Sequence, residues 1–251
     1  MGDLCHESVP FQWIDEVMEV MTTNPQHTYL ILTKRPQIMK RYFEYYSKKL
    51  ADFGGYDPPP FLWIGVTAEN QEQADNRIPI LLQIPAAKRF VSIEPMLGTV
   101  NLNRIKRYTF HGLRYINSLK GIEWWGCVDD SSSDNWCNKL DWVIVGGETG
   151  PGSRPMHPDW VRSIRDQCQS AGVPFFFKSW GDWLPGEQQP DGTGYLRCDN
   201  GMMYSTMENQ NPKRENFGTD PDINSGNMIT FKIGKKKAGH LLDGKQWREK
   251  P

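Results

Sequence analysis

Five apolar runs of strand length each end in polar or charged residues. Tyr29 to Leu32 leads into Thr33-Lys34-Arg35-Pro36, and Phe61 to Val66 leads into Thr67-Ala68-Glu69. Phe90-Val91-Ser92-Ile93 ends at Glu94-Pro95, Trp142 to Val145 at Gly146-Gly147-Glu148, and Val173 to Phe177 at Lys178-Ser179. Helical stripes separate these runs. Ile14, Val17, Met18 and Met21 form the first, stopped by Asn24-Pro25, and Pro36 opens a second with Ile38, Met39, Tyr42, Tyr45 and Tyr46. Ala74, Ile78, Leu81 and Leu82 form a third, broken locally by Pro79 and ended by Pro85. Pro158 opens a fourth, with Val161, Ile164 and Cys168, and Gly172 stops it. Strand and helix in this alternation predict right-handed βαβ units, and continuous apolar strands predict a parallel sheet covered on both faces. The fold class expected is α/β, with parallel βα repeats forming an incomplete, TIM-like barrel.

Two segments break the rhythm. Residues 101–140 mix basic, aromatic and Ser/Asp-rich pieces and read as an insertion on the rim of the sheet. Residues 184–230 are rich in Gly, Pro, Asn and Asp and read as a loop-built excursion with a short hairpin near Gly201. A basic tail, 231–251, follows. All of this fits one α/β domain over 1–251, an ordinary size.

In parallel sheets the carboxyl ends of the strands share one rim, where reactive groups gather. That placement selects the candidate residues. Glu94 follows a buried strand directly; it either binds or reacts with a ligand, or is held by amides and a nearby cation. Glu69, with Asn70, either binds a ligand or belongs to the cap region of the next helix. Thr33, Lys34 and Arg35 place two adjacent cations where they could hold an anion or neutralise Glu69 or Glu94. Lys178 is either a proton-transferring lysine with a lowered pKa or a structural one. Gly146 and Gly147 either form a tight turn or let a ligand approach backbone amides, with Glu148 accepting hydrogen bonds and Arg154 facing the same rim. His157 reads as a helix cap. The lysine run Lys235-Lys236-Lys237 is a solvated face or a phosphate contact.

Composition narrows the function classes. The net charge of −1 gives no global field for nucleic acid, and no apolar run approaches a membrane span of roughly 18 residues. The first residues lack a signal peptide's regions, so a cytoplasmic protein without membrane contact is expected. The five cysteines form no CxxC pair, Cys168 reads as core, a Cys127–Cys137 bridge is not expected, and no metal is assigned.

Several segments resemble a phage- and prophage-encoded family, named for mycobacteriophage gene products and classed as a domain of unknown function. They are Pro25-Gln26-His27-Thr28 with Leu32 to Pro36, Ala74 to Pro79, Arg89 to Pro95, Asp141 to Gly150, Arg154 to Trp160, Phe175 to Lys178, Gly234 to Gly239 and Leu241 to Gly244. The resemblance implies a radical-SAM-like partial barrel, whose full members carry an N-terminal three-cysteine segment that ligates an iron–sulfur cluster. That segment is absent here. A truncated gene, an internal start or a split N-terminal partner would each account for that, and no cofactor is then assured in this chain. An iron–sulfur cluster and S-adenosylmethionine would belong to full-length relatives. The expected roles are catalytic for Glu94, Glu148 and Lys178, and ligand-binding for Thr33, Lys34, Arg35, Glu69, Gly146, Gly147 and Arg154. The substrate would be a small molecule or nucleic acid. The alternative is a non-enzymatic phage accessory protein that binds nucleic acid or a protein partner through the aromatic insertion and the lysine tail.

Overall fold

The structure, a computed structural model, describes residues 2–51, 57–125, 135–186, 213–215 and 228–251. Helix α1 (Phe11–Thr23) starts after Pro10 and buries Ile14, Met18 and Met21, spaced to share one face. Strand β1 (Tyr29–Thr33) follows, then α2 (Pro36–Lys49), where Pro36 occupies the first turn and loses no hydrogen bond there. Strand β2 (Leu62–Thr67) precedes α3 (Gln71–Leu81), which Asn70 caps by accepting from the Gln73 amide at 3.0 Å. The break expected at Pro79 does not occur, and the proline lies within the last turn of a continuous helix. So near the end, little helix remains for it to disrupt.

Strand β3 (Lys88–Ile93) completes the first half of a parallel sheet. Strands β4 (Ile105–Thr109), β5 (Gly112–Asn117), β6 (Ile122–Trp125) and β7 (Asn135–Trp136) then form a separate antiparallel meander. The sheet resumes with β8 (Trp142–Gly146) and, after α4 (Pro158–Ala171), ends with β9 (Phe175–Ser179). Its order is β1-β2-β3-β8-β9, with every neighbouring pair parallel. Beyond it, β10 (Trp183–Pro185), β11 (Lys213–Glu215) and β12 (Met228–Lys232) pair in the order β10-β12-β11. Helix α5 (Lys235–Ala238) and the hairpin of β13 (Leu241–Leu242) and β14 (Lys245–Gln246) follow. The hairpin expected near Gly201 lies outside the described residues.

The pleat sorts the strand residues between two faces. One face carries Ile31, Leu62, Ile64, Val66, Val91, Ile93, Val143, Val145, Phe175 and Phe177, which join Met18, Met39, Tyr42, Ile78 and Ile164 of the four helices in one core. The other face carries Leu30, Leu32, Trp63, Gly65, Phe90, Trp142, Ile144 and Phe176. Cover on this second face is of a different kind. Among the described residues, the second face is filled largely by its own rings. Trp142 meets Trp63, Phe90 and Phe176 at centroid distances of 6.1, 6.0 and 5.8 Å, while Leu30 and Leu32 stay 46% and 42% exposed. Gly65 makes room for this: a Cβ there would lie 2.4 Å from the Phe90 ring. The strands therefore read as continuously apolar because helices bury one face and an aromatic cluster occupies the other.

The 101–140 segment also sits differently from its expected rim position. The Lys106 amide donates to Asp75 at 3.0 Å, the Asn101 amide to Gln71 at 2.6 Å, and the Asn138 side chain to the Leu82 carbonyl at 2.8 Å. These partners lie along α3 and at its C-terminal end. With Ile105 and Ile116 joining the core, the meander flanks the helical layer.

Candidate functional site

The carboxyl ends of the five parallel strands deliver most of the residues singled out in the sequence, and they arrive as ion pairs. At the end of β1, Thr33 donates its hydroxyl to Asp3 at 2.8 Å, and Arg35 Nη1 donates to the same carboxylate at 3.1 Å. Burial pushes the Asp3 carboxyl upward, but hydrogen bonds from Thr33, the Cys5 and Lys34 amides and Arg35 outweigh it and hold the group below its usual range.

Lys34 points the other way and donates to Glu69 at the end of β2. The second Glu69 oxygen accepts from Arg77 of α3 at 2.8 Å, and the same arginine nitrogen reaches the Thr67 carbonyl at 2.7 Å. Burial raises the Glu69 carboxyl, but the Lys34 hydrogen bond and the nearby Arg77 charge outweigh it and leave the group below its ordinary value. Two cations thus meet one carboxylate. Lys34 keeps 52% of its side chain exposed, whereas Arg77 keeps 16%.

At the middle of the rim, Lys178 donates to Glu94 at 2.9 Å across the end of β8. Gly146 lies directly beside this carboxylate: a Cβ there would sit 3.1 Å from Glu94 Cδ. The pair is half open, with side-chain exposures of 47% for Lys178 and 24% for Glu94. In register on the same sheet face stand Thr67, Ser92 and Ile144, then Phe176. A ligand seated here would meet a carboxylate and an ammonium above a small polar and aliphatic surface.

Glu148 and Arg154 form the fourth pair. The guanidinium donates through Nε and Nη2 to the two carboxylate oxygens, both at 2.8 Å, and the Arg154 amide adds a third bond at 2.8 Å. These hydrogen bonds hold the Glu148 carboxyl below its usual range. Gly147 is fixed by packing. A Cβ at Gly147 would lie 2.0 Å from the Trp180 carbonyl oxygen, and one at Gly181, whose φ is +75°, 2.2 Å from the Glu148 carbonyl oxygen. The two backbones cross where no side chain fits. The room that Gly147 leaves is taken up by the 180–181 backbone.

Three residues important to this rim escaped the sequence argument. Asp3 lies outside the five strand ends that select the candidates. Arg77 reaches Glu69 from eight positions along the chain, and its signal was a single cation in the first helix after Glu69. Asp182 organises the glycine loop by accepting from the Gly150 amide at 2.7 Å, the Ser153 hydroxyl at 3.3 Å and the Lys235 amide at 3.2 Å. Its position after Trp180-Gly181 gave no clue to these long-range partners. His157 does cap α4, accepting from the Asp159 amide at 3.1 Å.

The described cysteines, Cys5, Cys137 and Cys168, do not gather into a set that could ligate an iron–sulfur cluster. Cys5 and Cys168 are buried thiols, each pushed up to about 12 chiefly by burial, and Cys5 contacts Met39 sulfur at 3.8 Å. No group of three or more potential metal ligands occurs among the described residues, while Cys127 and Cys198 lie outside them. Nor is any described helix long and apolar enough to cross a membrane.

Comparison with known proteins gives one match. A family model described as "Protein of unknown function (DUF5131)" matches residues 1–251. Neither the curated proteins nor the solved structures yield a match.

Proposed function

The chain belongs to the DUF5131 family along its whole length, and from that premise we propose that its strand-end rim binds a small ligand carrying an anionic group. The observation that carries this is the meeting of Lys34 and Arg77 at Glu69, where two cations share one carboxylate. The local surplus of one positive charge, borne by the more exposed Lys34, attracts an anion without first breaking a neutral pair. Glu94 and Lys178 then contact the rest of the ligand. Already hydrogen-bonded to each other, they supply a carboxylate and an ammonium between which a proton can move once a substrate intervenes. This makes the chain an enzyme, with Glu94 and Lys178 as its acid–base pair. Glu148 and Arg154 hold the neighbouring loop in place.

In the same proposal the sheet is part of a TIM-like barrel of the radical-SAM-like kind, within a single phage-derived domain over 1–251. The support is helices gathered on one sheet face, functional groups at the strand ends and the motif resemblance. The proposed proton transfer needs no iron–sulfur cluster, which the described cysteines do not suit.

The test is thermal stabilisation and calorimetry with inorganic phosphate, acetate and S-adenosylmethionine as probes. At least one anionic probe is expected to raise the melting temperature of the intact chain, and Lys34→Ala is expected to abolish that rise. Glu94→Gln is expected to alter affinity less than Lys34→Ala. No response to any probe, or an equal response in Lys34→Ala, would sink the reading.

A further inference from the structure

The β4–β5 hairpin combines positive charge with exposed rings in a way the rim proposal does not use. Residues 104–114 contain Arg104, Lys106, Arg107 and Arg114 and no acidic residue, in a chain of net charge −1. The rest of the segment, 115–140, carries Glu123, Asp129, Asp130 and Asp134 against two lysines, so the surplus is concentrated in the hairpin. On the other face of the hairpin, part of the charge is spent internally, since Arg107 and Arg114 both contact Glu123.

The pleat places Lys106 and Tyr108 on one face of β4. Lys106 stands opposite Tyr115 of β5, and the Arg104 guanidinium lies 4.5 Å over the Tyr115 ring, which marks the same face. Tyr115 in turn stacks on Trp124 of β6 at 6.0 Å. This buried stack lies on that same face, farther from the hairpin tip. Nearer the tip, Tyr108 is 78% exposed, and Phe110 at the tip itself is 100% exposed. Thr109 closes the tip with a hydroxyl bond to the Gly112 carbonyl at 2.8 Å. Two rings are therefore presented to solvent on a framed hairpin, beside cations, the Phe110 ring meeting only its neighbour His111 among the described ring contacts.

We propose that this face binds single-stranded nucleic acid, with bases stacking on Tyr108 and Phe110 and a phosphate contacting Lys106. Charge alone would also suit an acidic protein surface. The exposed rings favour nucleic acid, because every unpaired base offers a flat face to stack, whereas a duplex hides those faces inside. The hairpin is a surface distinct from the strand-end rim, so the two proposals stand or fall separately.

Binding of labelled, mixed-sequence oligonucleotides of roughly 20 residues to the full chain, followed by fluorescence anisotropy, tests the proposal. Single-stranded DNA or RNA is expected to bind, more weakly at about 200 mM salt than at about 50 mM, and more tightly than the matching duplex. The double variant Tyr108→Ala/Phe110→Ala is expected to lose roughly tenfold or more in affinity. Because both rings are exposed, its melting temperature should match that of the parent. Lys106→Ala is expected to reduce the logarithmic salt slope by about 0.7. No binding at the lower salt, equal binding of duplex, or unchanged affinity in the double variant would overturn the proposal.

Discussion

At Glu69 a single carboxylate holds two elements together, Lys34 after β1 and Arg77 on α3. Its carboxyl lies below the ordinary value of 4.5 in the folded chain. Because folding depresses this pKa, the stabilisation is fully present above the unfolded value and disappears as pH falls through the folded one. Glu69→Gln should therefore flatten the acid limb of the stability curve between about pH 5 and about pH 3. Near neutrality it should cost about 1–2 kcal/mol, since Arg77 keeps a hydrogen-bond acceptor but loses its counter-charge. Denaturant titrations across a pH series measure both. A second residue-scale test lies at Gly147, where a methyl group would overlap the Trp180 carbonyl. Gly147→Ala should destabilise the chain by on the order of 3 kcal/mol, a cost of overpacking and not of a lost ligand. A Gly147→Ala chain that melts like its parent would refute that account.

At the scale of elements, helices and strand ends were the legible part of the sequence. Ile14, Met18 and Met21 repeat at a spacing only a helix uses, and each strand's apolar run ends close to where its hydrogen bonding does. Asn70 before α3 shows how local such signals are, because its side chain bonds an amide three residues on. Asn70→Ala should cost about 1 kcal/mol by chemical denaturation, while Asn70→Asp should be nearly neutral. Pro79 misled because its effect depends on how much helix remains after it, which composition does not show. The strands of the meander were not legible because cations and aromatics interrupt any clean apolar period along them. Arg77, Asp182 and the second sheet face were hidden for another reason. Their roles depend on partners that only folding brings near, such as the Trp142 ring among Trp63, Phe90 and Phe176.

At the scale of the whole molecule, the end of the chain returns to the sheet. The Phe177 amide donates to the Trp247 carbonyl at 2.9 Å, and the Glu249 amide to the Phe175 carbonyl at 3.2 Å, so this segment lies antiparallel along β9. Glu249 also accepts from the Phe175 amide through its side chain and from Trp142 Nε1 through its carbonyl, both at 2.9 Å. Removing residues 245–251 should leave backbone groups of β9 unpaired. Faster amide exchange at Phe177 and concentration-dependent self-association on size exclusion are expected. A shortened chain that stays monomeric with a protected Phe177 amide would show that the edge is covered by other means.

The strand order β1-β2-β3-β8-β9 is also the order in which the strands appear along the chain. A polypeptide leaving the ribosome amino-terminus first can therefore lay down the sheet from one side to the other, each strand meeting a neighbour already in place. The growing side stays open through every step, and the residues that cover it are translated only after all five strands. Until Trp247 and Glu249 emerge, the nascent protein exposes a strand border able to recruit a passing chain, so a pause in translation between β9 and Trp247 would prolong the time at risk of aggregation.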